Sequence, residues 1–105
     1  MNQNLAWSKN IRSEVMDRFD ELISLRRQFH KLPELSWKET ETKRLIKKWL
    51  ESEGFRDIQS LAQTGLSTMV EGKTSGKTLL YRADIDALPI MEDSGVNYQS
   101  ENEGI

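Results

Sequence analysis

The sequence predicts an α+β chain, a piece of an α/β architecture, with two N-terminal helices followed by three or more strands. Three observations predict it. Apolar residues recur at spacings of three and four before Gly54, the period turns extended after it, and Gly- and Pro-containing punctuation separates the segments.

Residues 1–9 are polar apart from Leu5, Ala6 and Trp7 and read as a flexible lead-in to a unit spanning 10–105. From Ile11 the positions Ile11, Val15, Phe19, Leu22, Leu25 and Phe29, widened by Met16 and Ile23, form the stripe of an amphipathic helix that Pro33 stops. Core packing is the plain account of that stripe. A second helix is predicted from Trp37 to Glu53, opened by a capping box of Ser36 and Glu39 and closed by Gly54 and Phe55 as a left-handed cap with its apolar contact. Leu45, Ile46, Trp49 and Leu50 give its apolar face, while Lys43, Arg44, Lys47 and Lys48 read as solvated. Trp37 and Trp49 read as core or covered-face residues.

Beyond Gly54, Ile58–Leu61 and Leu66–Glu71 are short strand candidates. The polar stretch Lys73-Thr74-Ser75-Gly76 reads as a hairpin connection into a third strand, Lys77–Ala83. Leu79, Leu80 and Tyr81 run apolar without alternating, which suits a strand covered on both faces. The chain holds too few elements to supply that cover, so it reads as a piece of something larger.

At 105 residues the chain is at most one small domain with a thin core. Its 15 basic and 17 acidic residues leave a net charge of −2, which excludes a strong electrostatic pull on nucleic acid or anionic lipid. Without cysteine there is no disulfide, thiolate zinc site or Cys nucleophile, and His30 is the only histidine, so any metal site within these residues is incomplete. No apolar run has the length of a signal peptide or a membrane span, and the expected compartment is the cytoplasm.

Chemistry points to Arg82-Ala83-Asp84-Ile85-Asp86-Ala87-Leu88-Pro89. On extended chain Asp84 and Asp86 share a face, and open α/β sheets place ligand sites beyond the carboxyl ends of strands. Two such carboxylates can hold a divalent ion, orient a metal-bound His or share a proton as an acid/base pair. Asp near a strand end and before Pro is also ordinary turn chemistry. A lone His at a helix C-terminus commonly meets the last carbonyls, and His30 is read that way.

The run Arg26-Arg27-Gln28-Phe29-His30-Lys31-Leu32-Pro33-Glu34-Leu35-Ser36, then Glu39 and Thr42, Gly54-Phe55, Thr64-Gly65-Leu66, and Arg82 through Ile90 with Glu92, resembles the opening of the metal-dependent amidohydrolases. These are the N-acyl-L-amino acid amidohydrolases, hippurate hydrolases and auxin-conjugate hydrolases, related to aminoacylase and zinc carboxypeptidase-like peptidases. The resemblance implies a mixed sheet flanked by helices, an inserted dimerisation domain and a homodimeric parent. It further implies hydrolysis of the amide bond of N-acyl amino acids with zinc or manganese, the metal polarising the carbonyl and activating water while a Glu takes the proton. In relatives a His-Ala-Cys-Gly-His-Asp motif follows the segment corresponding to Ser100–Gly104, so this chain is expected to stop just before the first metal ligands and to bind no metal and be inactive alone. The resemblance carries over Asp86, as the catalytic-site aspartate that orients the metal centre. In peptidase-type relatives a ligand His stands at the position of Asp84, whose role here stays open. The alternative is a small non-catalytic α+β module for binding or oligomerisation, which requires cooperative unfolding and a stable monomer or dimer.

Overall fold

The computed structural model describes residues 3–105, with side chains from residue 6 onward. In chain order it forms α1 (Gln3–Asp17), α2 (Phe19–Lys31), α3 (Thr40–Ser52), β1 (Gln59–Leu61) and β2 (Gly65–Ser67). The architecture is α+β, with three helices for the two expected and two strands for the three or more expected.

The helix expected between Ile11 and Pro33 is broken at Arg18, where the backbone turns at φ −102° and ψ 11°. The Arg18 N–H donates to the Val15 carbonyl three residues back, a tighter link than the α-helical one. Its guanidinium binds Glu21 and Glu53, so the break places a cation between α2 and the end of α3. Helix also begins earlier than expected, because residues 3–9, read as a lead-in, belong to α1; Met1 and Asn2 lie outside the described residues. No Gly or Pro interrupts 3–17, so helix extends back through 3–9, ahead of the apolar stripe that begins at Ile11. Pro33 ends α2 as expected, with Leu32 driven out of helical geometry to φ −123° and ψ 56°.

α3 starts at Thr40, three residues later than expected, because Trp37 adopts a left-handed φ of 67° and holds the chain in a turn. The Ser36–Glu39 capping box does not form. Instead the Glu34 carboxylate caps the helix from outside, accepting the Glu41 N–H through Oε2 at 3.1 Å and the Thr42 N–H through Oε1 at 2.6 Å. The C-terminus is as predicted. Gly54, at φ 93°, donates its N–H to the Glu51 carbonyl, and the Phe55 N–H reaches the Leu50 carbonyl, both at 3.1 Å.

β1 and β2 pair antiparallel in the register Ser60 opposite Leu66, and residues 62–64 form the turn, with Ala62 and Gln63 both at positive φ. α3 holds this hairpin through Lys43, whose Nζ donates to Ser60 Oγ at 2.8 Å and to the Gln63 carbonyl at 2.7 Å. Lys43 is therefore a linking residue and not only part of a solvated face.

Residues 77–83 carry no regular structure, so the predicted third strand and its hairpin at 73–76 are absent. A strand needs a neighbour to satisfy its backbone, and none lies beside this one among the described residues. Leu79 and Leu80 are each 88% exposed and Tyr81 is 90% exposed.

No apolar residue is buried among the described ones, against the expected core packing of the first stripe. Ile11, Val15, Met16 and Phe19 are exposed, as is Trp37, while Leu22, Leu25, Phe29 and Trp49 are half-buried, Leu25 and Trp49 lining one crevice between α2 and α3. The accessible surface is 9465 Å², where a self-contained protein of 12.2 kDa exposes roughly 6,100 Å². The Cα radius of gyration, 16.9 Å, likewise exceeds the ~13 Å of a closed domain of this length. These residues leave much apolar surface uncovered.

Candidate functional site

The site is built from α3 outward. Glu34 is locked to the first turn of α3 through Glu41 and Thr42, and its backbone carbonyl accepts the Ala87 N–H at 2.8 Å. Leu35 and Ala87 form a parallel bridge at the same place. The neighbour of Asp86 is thereby fastened to the helix-capping loop.

Asp84 and Asp86 both line one cleft of about 800 Å³, together with His30, Thr42, Glu92 and Ser100. Ile85 and Ala87 line it too, and 84–86 carry no strand structure, so this shared lining is not the alternation of an extended strand. The surroundings of the two aspartates differ. Asp84 is taken up in an ion pair with Arg82, Oδ1 to Nη2 at 2.6 Å, whereas Asp86 has no hydrogen bond or ion pair among the described residues. Asp86 is the carboxylate free to take a ligand or to orient one.

His30 does not meet the last carbonyls of α2. Its Nε2 lies 2.8 Å from Glu92 Oε1, across 62 residues of chain, and its ring stands edge-on to Tyr98 at 5.5 Å between centroids. The Ser94 hydroxyl and the Ser100 N–H also donate to Glu92, and with His30 they hold its carboxyl below the ordinary value despite partial burial. An ionised carboxylate only accepts, so His30 Nε2 is the donor. Arg27 covers the Tyr98 ring at 4.5 Å, the Glu101 N–H donates to the Lys31 carbonyl at 2.7 Å, and Asn102 Nδ2 donates to the Pro33 carbonyl at 2.7 Å. The Lys31 carbonyl at the end of α2 and the Pro33 carbonyl beyond it are thus satisfied by residues 101 and 102.

Among the described residues no three His, Asp or Glu side chains converge as a metal site would require. The one imidazole is committed to Glu92, and the cleft otherwise offers separated carboxylates. This donor set does not fit a dinuclear centre by itself.

No family model matches the chain. It is 42% identical over 85 residues to the N-acetyl-L-cysteine deacetylase of Bacillus subtilis, a match covering 81% of this chain and 20% of the relative. It is 37% identical over 87 residues to the N-acetyldiaminopimelate deacetylase of Priestia megaterium, covering 82% and 23%. Its backbone superposes at a TM-score of 0.76, with 39% identity over 81% of this chain and 24% of the other, on the crystal structure of the Bacillus subtilis YXEP protein, a dinuclear metal binding peptidase from the M20 family. The chain belongs to this amidohydrolase family. It spans about a fifth to a quarter of the length of the relatives it matches.

Within this amidohydrolase segment, the motifs that carried the resemblance prove to be the fastenings of the cleft. Pro33-Glu34 and Thr42 tie the capping loop to α3, and Ala87, His30 and Glu92 tie the aspartate segment to that loop and to α2. Sequence reasoning missed the contacts of Glu34 and Glu92. The presence of Glu34 eight residues before Thr42 was visible, but a cap reaching back from outside a helix leaves no periodic signal.

Proposed function

We propose that these residues form part of an amidohydrolase acting on N-acyl amino acids, and that they contribute Asp86 as the aspartate that orients its divalent metal centre. The observation that carries the reading is the free Asp86 carboxylate in its cleft, in a chain of which 81% superposes, at a TM-score of 0.76, on a dinuclear metal binding peptidase. Relatives named as deacetylases of N-acetyl-L-cysteine and N-acetyldiaminopimelate support N-acyl amino acids as the substrate class. Zinc or manganese as the metal, a homodimeric parent and a cytoplasmic setting complete the reading. No described helix is long and apolar enough to cross a membrane.

The donor set argues that this chain alone neither holds the metal pair nor hydrolyses substrate. Two experiments test the proposal. The isolated chain, given zinc or manganese, is expected to show no release of acetate from N-acetylcysteine above buffer, and turnover there would refute its inactivity. The 85 residues that match the Bacillus subtilis deacetylase, transplanted into it in place of their counterpart, should keep that enzyme active. Asp86→Asn in the chimera should lower kcat/KM by about 10- to 100-fold, the usual cost of losing a residue that orients a metal ligand. An unaffected chimera would remove Asp86 from the site, and an inactive but folded chimera would favour a non-catalytic module.

A further inference from the structure

The His30–Glu92 pair joins α2, which ends at Lys31, to the segment running from Asp84 to Ser100, which also meets α2 where Arg27 covers Tyr98. The pair is not simply an exposed ion pair. Glu92 gathers three donors, His30 Nε2 at 2.8 Å, the Ser100 N–H at 2.9 Å and the Ser94 hydroxyl, so the loop from 92 to 100 is wound around one carboxylate. His30 is the only one of these donors that comes from outside the loop. Its ring also supports Tyr98, which carries Arg27 on its face.

The stretch from Asp84 to Glu92, which bears Asp86, has two hydrogen-bonded points of attachment to the rest of the described residues. One is the Ala87 N–H on the Glu34 carbonyl, and the other is Glu92 on His30. Asp86 itself makes no bond among the described residues, so its direction is set by these neighbours. A segment pinned at one end swings about the pin, and pinning the second end removes that freedom.

We infer that His30 is a positioning residue, which with Glu92 forms a clasp holding the Asp84–Glu92 segment against α2 and thereby fixes the direction of Asp86. This rests on the reading of Asp86 given above. The two are separable, because the clasp concerns the order of the segment and the earlier reading concerns what Asp86 does in a complete enzyme.

The test uses the whole chain and two readouts. In the wild-type chain, ¹⁵N NMR of the imidazole should show the proton of the neutral ring on Nε2, and a ring protonated on Nδ1 alone would overturn the clasp. Amide exchange should then show that His30→Ala speeds exchange at Ser100 and also at Ala87, about 10-fold or more, while Ile46 within α3 keeps its protection. His30→Gln, whose amide can still donate to Glu92, should restore most of both. If Ser100 loosens while Ala87 does not, the pair orders only its own loop and the inference fails. If His30→Ala also strips protection from Ile46, the comparison of His30→Gln with Glu92→Ala, which removes the acceptor, decides. The inference then requires Ala87 to be protected in the first and released in the second, and equal exchange in both would refute it. Loss of the clasp together with an Asp86→Asn chimera of full activity would instead refute the role of Asp86 and leave the clasp standing.

Discussion

The Glu34 carboxylate accepts both the backbone N–H of Thr42, at 2.6 Å, and its hydroxyl, at 2.7 Å. Glu34→Ala should therefore destabilise α3 by about 1–2 kcal/mol, the usual worth of a helix N-cap, measured by urea unfolding. An unchanged midpoint would show that water replaces the cap without loss.

The same carboxylate predicts a pH response. Partial burial pushes Glu34 up, but the hydrogen bonds from the backbone and hydroxyl of Thr42 and from the Glu41 backbone outweigh it and hold the group below the ordinary carboxylate value. Glu39, only 6% exposed, is held down by the Thr64 hydroxyl and nearby N–H groups against its burial, although its Oε2 has no partner. For groups depressed in this way, stability is fully present above the unfolded carboxylate pKa of about 4.3 and drains away as pH falls through the lower folded values. Helicity followed from pH 7 to pH 2 should fall at the acid end, and Glu34→Gln should flatten that fall. A curve identical to wild type would remove Glu34 as a contributor.

Two left-handed residues should respond in opposite directions. Trp37 holds φ 67° with a side chain 66% exposed, so Trp37→Asn should stabilise by up to about 1 kcal/mol, since asparagine tolerates this conformation and little packing is lost. Gly54 sits at φ 93° with open space where a Cβ would stand, so Gly54→Ala meets no clash and should still cost about 1–2 kcal/mol through backbone strain alone. Shifts of the same sign in thermal unfolding would contradict the argument.

Arg18 bridges Glu21 and Glu53 and lies 5.6 Å from the Trp49 ring, but the group is open to solvent. Both carboxylates are held below their ordinary values, chiefly by their hydrogen bonds to Arg18. Arg18→Ala should lower Tm slightly at low salt, and the difference should vanish in 1 M NaCl, where the Debye length is about 3 Å. A salt-independent loss would assign the effect to packing on Trp49.

Leu79, Leu80 and Tyr81 are exposed at 88%, 88% and 90% and have no strand beside them. Leu80→Lys combined with Tyr81→Lys should reduce light scattering of concentrated solutions while leaving the unfolding midpoint of α3 within about 0.5 kcal/mol of wild type, as for surface positions generally. Unchanged scattering would move the sticky surface elsewhere.

The legible parts of the fold are those with local causes. Pro33 stopping α2 and Gly54-Phe55 closing α3 are readable because each depends on residues within a turn of one another. Asp84 and Asp86 do line one cleft, but Ile85 and Ala87 line it with them, so their spacing on extended chain is not what brings them there. The Ser36–Glu39 box misleads, since a left-handed Trp37 is not encoded by any local preference and moves the helix start. Leu79–Tyr81 has the pattern of a strand wanting cover on both faces, and it lacks strand structure because pairing requires a neighbour that local sequence cannot supply. The bonds of His30 to Glu92 and of Pro33 to Asn102 span 62 and 69 residues and leave no trace in a periodicity.

Those long-range bonds make a ring of the chain between α2 and residue 102. Closing a flexible loop of that size costs about 4 kcal/mol in entropy, growing only with the logarithm of its length. The first bond to form bears nearly all of that cost, and the others, from Glu101 to Lys31 and from Asn102 to Pro33, then close with almost no further loss. The bonds that close the ring can therefore open and shut together, while α3 and its hairpin, which lie within it and are joined over short distances, stay folded. Asp86 rides on the ring, so its order depends on the set of bonds that close the ring and not on a contact of its own.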